Sequence, residues 1–309
     1  MPPASSTASR SSTRPSGRGA TGAPSAGRRR VSDLGVRRRA VSVLLSALVA
    51  VTVAGCAGDD KEPSASRPTH PTPPPTAAPP PQAPAEGACY RLTFRQALAP
   101  TSAARPIPCA DPHTSETYAV GTLDTVVDGH LLAVDSQRVQ KQVAEACPAA
   151  LTRFLGGDQA ALRLSMFRPV WFTPTLAQSD RGADWYRCDV VIVAGDEELA
   201  EPDGGLKGAL DKDAVRDRYA MCGTAAPDDP DFERVICGVE HTWRAIQVVP
   251  YPAGRYPGVP AVRDRLESPC EDAGLDVAED PLDYRWGYEY PTKEQWDMGQ
   301  TWGLCWAPD

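Results

Sequence analysis

Two short signatures in this 309-residue chain bring together residue types that could do chemistry. Cys109-x-x-x-His113-Thr114 returns as Cys237-x-x-x-His241-Thr242. An imidazole beside a carboxylate can act as a general base, and His with Cys can ligate a metal. The candidate carboxylate partners, Glu116 and Glu240, sit at unmatched positions: Glu116 follows His113 by three residues, whereas Glu240 immediately precedes His241. A catalytic centre is expected to survive in one copy and a scaffold residue in both. The plainer reading of the two His is a ring bonded to backbone beside a disulfide. No Ser/His/Asp signature accompanies them, and no catalytic residue is assigned. His130 has no counterpart and is expected in a loop. Asp203-Gly204-Gly205 lacks the preceding strand that a nucleotide site needs, so it reads as a turn.

The nine Cys divide by position. Cys56 ends an apolar run, Ala40–Ala54, that follows Arg37-Arg38-Arg39. That order of charge, short apolar segment and small residues is an export signal, too short for a stable span. Val53-Ala54-Gly55-Cys56 looks like a bacterial lipobox, in which Cys56 carries palmitate-type acyl chains after cleavage. A start near Val31 would give a signal of conventional length. The expected location is extracytoplasmic, anchored to the outer face of the cell membrane. The other eight Cys allow 105 connectivities. Equivalent pairing within each half leaves three. The favoured one joins Cys89–Cys109, Cys147–Cys188, Cys222–Cys237 and Cys270–Cys305. Zinc is disfavoured because exported chains oxidise and no Cys-x-x-Cys spacing occurs. No metal and no cofactor is expected.

These residues are set in a cassette that occurs twice. Pro174, Thr175, Gln178, Asp180, Gly182, Trp185 and Cys188 recur, at the same spacing, as Pro291, Thr292, Gln295, Asp297, Gly299, Trp302 and Cys305. Thr-x-x-Gln is a capping box, and the Gly can end a short helix. Trp185 and Trp302 read as core anchors. Before the first cassette come β-like runs at Cys89–Phe94, Arg105–Cys109 and Thr114–Leu123, then helical spacing from Asp135 to Leu155 and a strand over Leu162–Phe172. Cys188–Val193 reads as the closing buried strand. The second half repeats the order, with a shorter helix over Pro260–Cys270. The expected fold class is α+β, with two tandem repeats, each a small antiparallel sheet with one main helix and two disulfides. The expected domains are a disordered leader and signal (1–55), a Pro-rich tether (56–86), repeat 1 (87–195), a connector (196–218) with a short helix at Asp213–Tyr219, and repeat 2 (219–309).

Residues 1–55 hold nine Arg and one Asp, leaving 23 basic and 39 acidic groups in the rest. A strongly acidic mature chain argues against nucleic acid and against a basic membrane-binding patch. Trp296 replaces Ser179 of the first cassette. With Trp286, Tyr284 and Tyr288 it could form an aromatic patch for a protein or glycan partner, core packing being the plainer alternative.

Cys-x-x-x-His-Thr, a helix bearing Cys, and Pro-Thr-x-x-Gln-x-x-x-Gly-x-x-Trp-x-x-Cys together resemble the actinobacterial septum formation family domain. The likeness covers roughly 87–195 and 219–307, behind a lipoprotein signal. Cys89 follows Gly87-Ala88 where the family often has Gly-Asp, and Ser179 stands where many members have Trp. The resemblance implies a non-enzymatic envelope protein linked to septum formation or wall organisation, with cell-wall or division proteins or wall glycan as partners. No catalytic residue comes with it. A wall-directed hydrolase using His113 or His241, and an extracytoplasmic ligand sensor, are the alternatives.

Overall fold

The computed structural model describes residues 78–309 and the strand β1 (Thr7–Ser11). Cys56, the export signal and the tether up to residue 77 lie outside the described residues. Among the described residues no helix is long and apolar enough to cross a membrane.

The first half runs β2 (Cys89–Tyr90), α1 (Phe94–Ala97), β3 (Ser115–Thr122), β4 (Val126–Val127) and β5 (His130–Leu131). It continues through α2 (Gln137–Leu155), α3 (Gln159–Arg163), β6 (Phe167–Phe172), α4 (Leu176–Ser179), β7 (Trp185–Gly195) and β8 (Glu198–Leu199). The sheet order is β2-β3-β7-β6, all antiparallel, with β8 paired to β7. Helix α2 follows its sequence spacing: Val139, Val143, Cys147, Leu151 and Leu155 are all buried. Gly156, at φ 74°, ends it. Both faces of β7 are covered, which is why its run over residues 190–193 is apolar throughout. Cys188, Val190 and Ile192 join the core that includes the α2 residues, while Val191 packs with Tyr90, Leu92, Ala97 and Phe172.

Three expectations change here. The strand expected over Cys89–Phe94 stops at Tyr90, because Thr93 and Gln96 form a further capping box that starts α1. The strand expected over Leu162–Phe172 starts at Phe167, since the Asp158 side chain accepts from Ala161 N and holds α3 in front of it. His130 sits in the small β4–β5 pairing rather than in an open loop.

After α5 (Asp213–Arg218), the second half runs β9 (Met221–Gly223), β10 (Arg234–Ile236), β11 (Trp243–Pro250), α6 (Val259–Asp276), β12 (Arg285–Glu289), α7 (Lys293–Asp297) and β13 (Trp302–Pro308). Its sheet order is β10-β9-β11-β13-β12, with β1 outside β12. β1 falls where disorder is expected. It forms because β12 is an outer strand whose backbone groups are open to a partner. Helix α6 continues past Cys270 to Asp276, because Ala273 and Gly274 are also buried and Gly274 lies against Trp286.

Both cassettes have the expected form. Thr175 with Gln178 and Thr292 with Gln295 make complete capping boxes, and Gly182 and Gly299 take φ of 89° and 99°. Trp185 is buried, but Trp302 is half-exposed, covered by the Arg163 guanidinium 3.9 Å from its ring centroid. Four disulfides join Cys89–Cys109, Cys147–Cys188, Cys222–Cys237 and Cys270–Cys305. The second and fourth each tie the main helix to the strand after the cassette. One core takes residues from both halves, including Met166, Ile192, Tyr219, Ile236 and Trp306. Residues 78–309 accordingly pack as one compact unit, with a bridge from Ser165 to Ala220 between the sheets.

Candidate functional site

His113 follows the Cys89–Cys109 bridge and leads into β3. It is 1 % exposed, and its Nδ1 lies 2.9 Å from the Asp111 carbonyl. A carbonyl can only accept, so Nδ1 is the donor, which leaves Nε2. That Nε2 is buried and faces no hydrogen-bond partner among the described residues. Glu116 is not its partner. The Glu116 carboxylate turns to the connector and accepts from Leu206 N at 2.7 Å.

His241 repeats the backbone bond, Nδ1 to Val239 O at 2.6 Å, but its other nitrogen meets a carboxylate. Nε2 lies 3.0 Å from Asp309 Oδ2, and Arg244 Nε donates to the same oxygen at 2.6 Å. Arg244 Nη1 also donates to Asp217 Oδ1 at 2.8 Å. The result is a linked row: His241, Asp309, Arg244, Asp217. The row borders a cleft of about 760 Å³ lined by Leu164, Arg216, Asp217, Arg244, Ile246 and Val277. Burial alone would raise the Asp309 carboxyl, but Arg244 and His241 hold it below the ordinary carboxylate range. A depressed carboxyl contributes stability above its unfolded-state pKa and loses it as pH falls through the folded-state value. Parent and Asp309→Asn should therefore differ in urea midpoint at pH 6, with Asn the less stable. The gap should close as pH drops below about 4. A gap that widens in acid would assign the wrong sign to this site.

Cys222, Cys237 and His241 bring their donor atoms within 4.8 Å of one another. Metal ligation needs thiolates, and these two sulfurs are bonded to each other, so the trio does not fit a metal as it stands.

Trp286, Tyr288 and Trp296, weighed above as a possible patch, are core, the plainer of the two readings. Trp296 is only 6 % exposed. Its indole packs against Tyr251 and Tyr256 with centroids 5.6 Å apart in each case, and Nε1 donates to Gly254 O at 2.8 Å. Trp286 and Tyr288 are buried with α6 residues in the same cluster. The reason is geometric. Their face of β12 is the one α6 covers, and Trp296 pins the loop leading into α6. The opening left there is a small cleft of about 300 Å³ lined by Tyr251, Arg255, Arg265 and Trp296.

Residues 86–305 match the Septum formation family over one continuous span. The chain belongs to that family. The span starts just before Cys89 and ends on Cys305, so it takes in every disulfide described above and both cassettes. No curated protein and no solved structure matches the chain.

Two features inside or beside the family span escaped the sequence reading. Asp309, beyond the span, meets His241 from 68 residues away, and only its carboxylate type could have flagged it. Arg187 and Asp189 lie within the apolar β7 segment, fully inside the protein. The Arg187 guanidinium sits over the rings of Tyr90 and Phe172, at 3.8 and 4.6 Å. Asp189 accepts from Ser115 Oγ at 2.9 Å and Thr117 Oγ1 at 2.6 Å. Two charges two residues apart in an otherwise apolar strand were the available signal.

Proposed function

We propose that this protein is a non-enzymatic, lipid-anchored component of the cell envelope that acts in cell division by binding, with protein or wall glycan as its partner. The family match over residues 86–305 carries this reading. The anchor rests on the Val53–Cys56 lipobox, with the signal removed and Cys56 lipidated. Two tandem copies of one module would explain why β2-β3-β7-β6 and β9-β11-β13-β12 share an order, each with a helix and a cassette in the same chain positions. The same duplication explains why each His bonds the backbone carbonyl two residues before it. A group that holds its own loop in both copies suits a scaffold.

The hydrolase alternative makes the opposite forecast for those rings. A His113→Gln, His241→Gln double variant that folds should support normal septation when it replaces the parent in dividing cells. Filamentous or mis-septated cells containing folded double variant would favour the hydrolase. Imaging the tagged mature protein tests the division role: enrichment at the septum is expected, and uniform envelope signal would refute it.

A further inference from the structure

The outer strands of the two sheets are finished differently. In the first sheet the outer strand that corresponds to β12 is β6, which carries Pro169. A proline on an edge offers no N–H and discourages a further strand. Aligning Arg168 with Arg285 places Trp286 where Pro169 stands, and β12 (Arg-Trp-Gly-Tyr-Glu) has no proline. Its edge does take a strand. β1 pairs along all of it, from Thr7 opposite Glu289 to Ser11 opposite Arg285, with no register shift. Cleavage before Cys56 would remove β1 and leave the β12 backbone groups unpaired.

We propose that in the processed protein β12 pairs with β12 of a second copy, antiparallel about Gly287, forming a two-fold dimer with one sheet running through both. This rests on the leader removal stated under the proposed function. The strand is complementary to its own reverse. Arg285 falls opposite the partner subunit's Glu289, and Trp286 opposite the partner subunit's Tyr288. Opposite charges and aromatic pairs are the favourable cross-strand neighbours. The two-fold axis makes each contact twice, and it closes the assembly at two copies. Arg285 is exposed, whereas Glu289 is buried and its carboxylate accepts from Arg234 Nη2 at 2.6 Å and Trp306 Nε1 at 3.1 Å.

The test uses the full chain expressed in its own cells and purified from membranes in detergent. Mass spectrometry reads the N-terminus, and sedimentation velocity over a concentration series reads the assembly. The expected result is a protein lacking residues 1–55 that dimerises reversibly. Arg285→Glu should weaken the dimer by about tenfold or more, since it sets like charges opposite each other at both ends. A retained leader overturns both this proposal and the lipoprotein reading. A processed protein that stays monomeric, or whose dimer is indifferent to Arg285→Glu, overturns the strand pairing alone.

Discussion

Replacing Cys147 and Cys188 together with Ala is expected to lower stability by about 4 kcal/mol on the chain-entropy estimate for a loop of this size. The bridge closes a separation of 41 residues, and both sulfurs sit in the core at the crossing of α2 and β7. For a unit of this length the melting temperature should fall by about 8–16 °C. The matching pair Cys270 and Cys305, separated by 35 residues, should cost nearly as much. Cys222–Cys237, separated by 15, should cost about 3 kcal/mol. Calorimetry on the three double variants ranks them. If losing Cys222–Cys237 is the most damaging of the three, the clasp role of the helix-to-strand bridges is wrong.

Asp189→Ala is expected to be as severe as losing a disulfide. Asp189 is 0 % exposed, and its removal leaves the Arg187 guanidinium without a counter-charge in the protein interior. Breaking a buried pair from one side costs about 3–5 kcal/mol. The pair is not well aligned: Arg187 Nη2 is 3.1 Å from Asp189 Oδ2, yet Nε and Nη2 make no hydrogen bond among the described residues. The two ring faces therefore supply much of what holds the cation. Arg187→Met keeps the packing against Tyr90 and Phe172 and leaves Asp189 its two hydroxyl donors, so it should cost less. The double variant should cost less than the two singles combined, because each single strands the other charge. Strict additivity in urea unfolding would show that the two groups do not depend on each other.

What the sequence made legible was local or repeated. The α2 face could be read because residues four apart share a side, and the cassette because its capping box is complete within four residues. The order of the Cys could be read because both halves keep it. Contacts between distant segments were not legible. Asp309 meets His241, and Glu116 meets Leu206, only once the sheets bring segments 68 and 90 residues apart together. Trp296 misled for a different reason. Ser in the first cassette suggested that the fold makes no demand there. The second half, however, has a Tyr- and Pro-containing loop before α6, and an indole fills the space beneath it. Arg187 was hidden because burial of a cation needs shelter from Tyr90 and Phe172, which are remote in sequence.

If the chain is held at Cys56 as proposed, the first disulfide decides how a pull would enter the fold. The tether reaches the fold at Pro80, which touches Gly182, and at Gly87, whose N–H donates to Thr117 O at 2.8 Å. Cys89 comes two residues later and is already fastened to Cys109. Tension arriving along the tether crosses that sulfur bridge and skips the residues between. The segment carrying Tyr90, Leu92 and α1, which roofs the buried Arg187, is therefore out of the load path. A growing wall could pull on such a protein without peeling the cover from its charged interior.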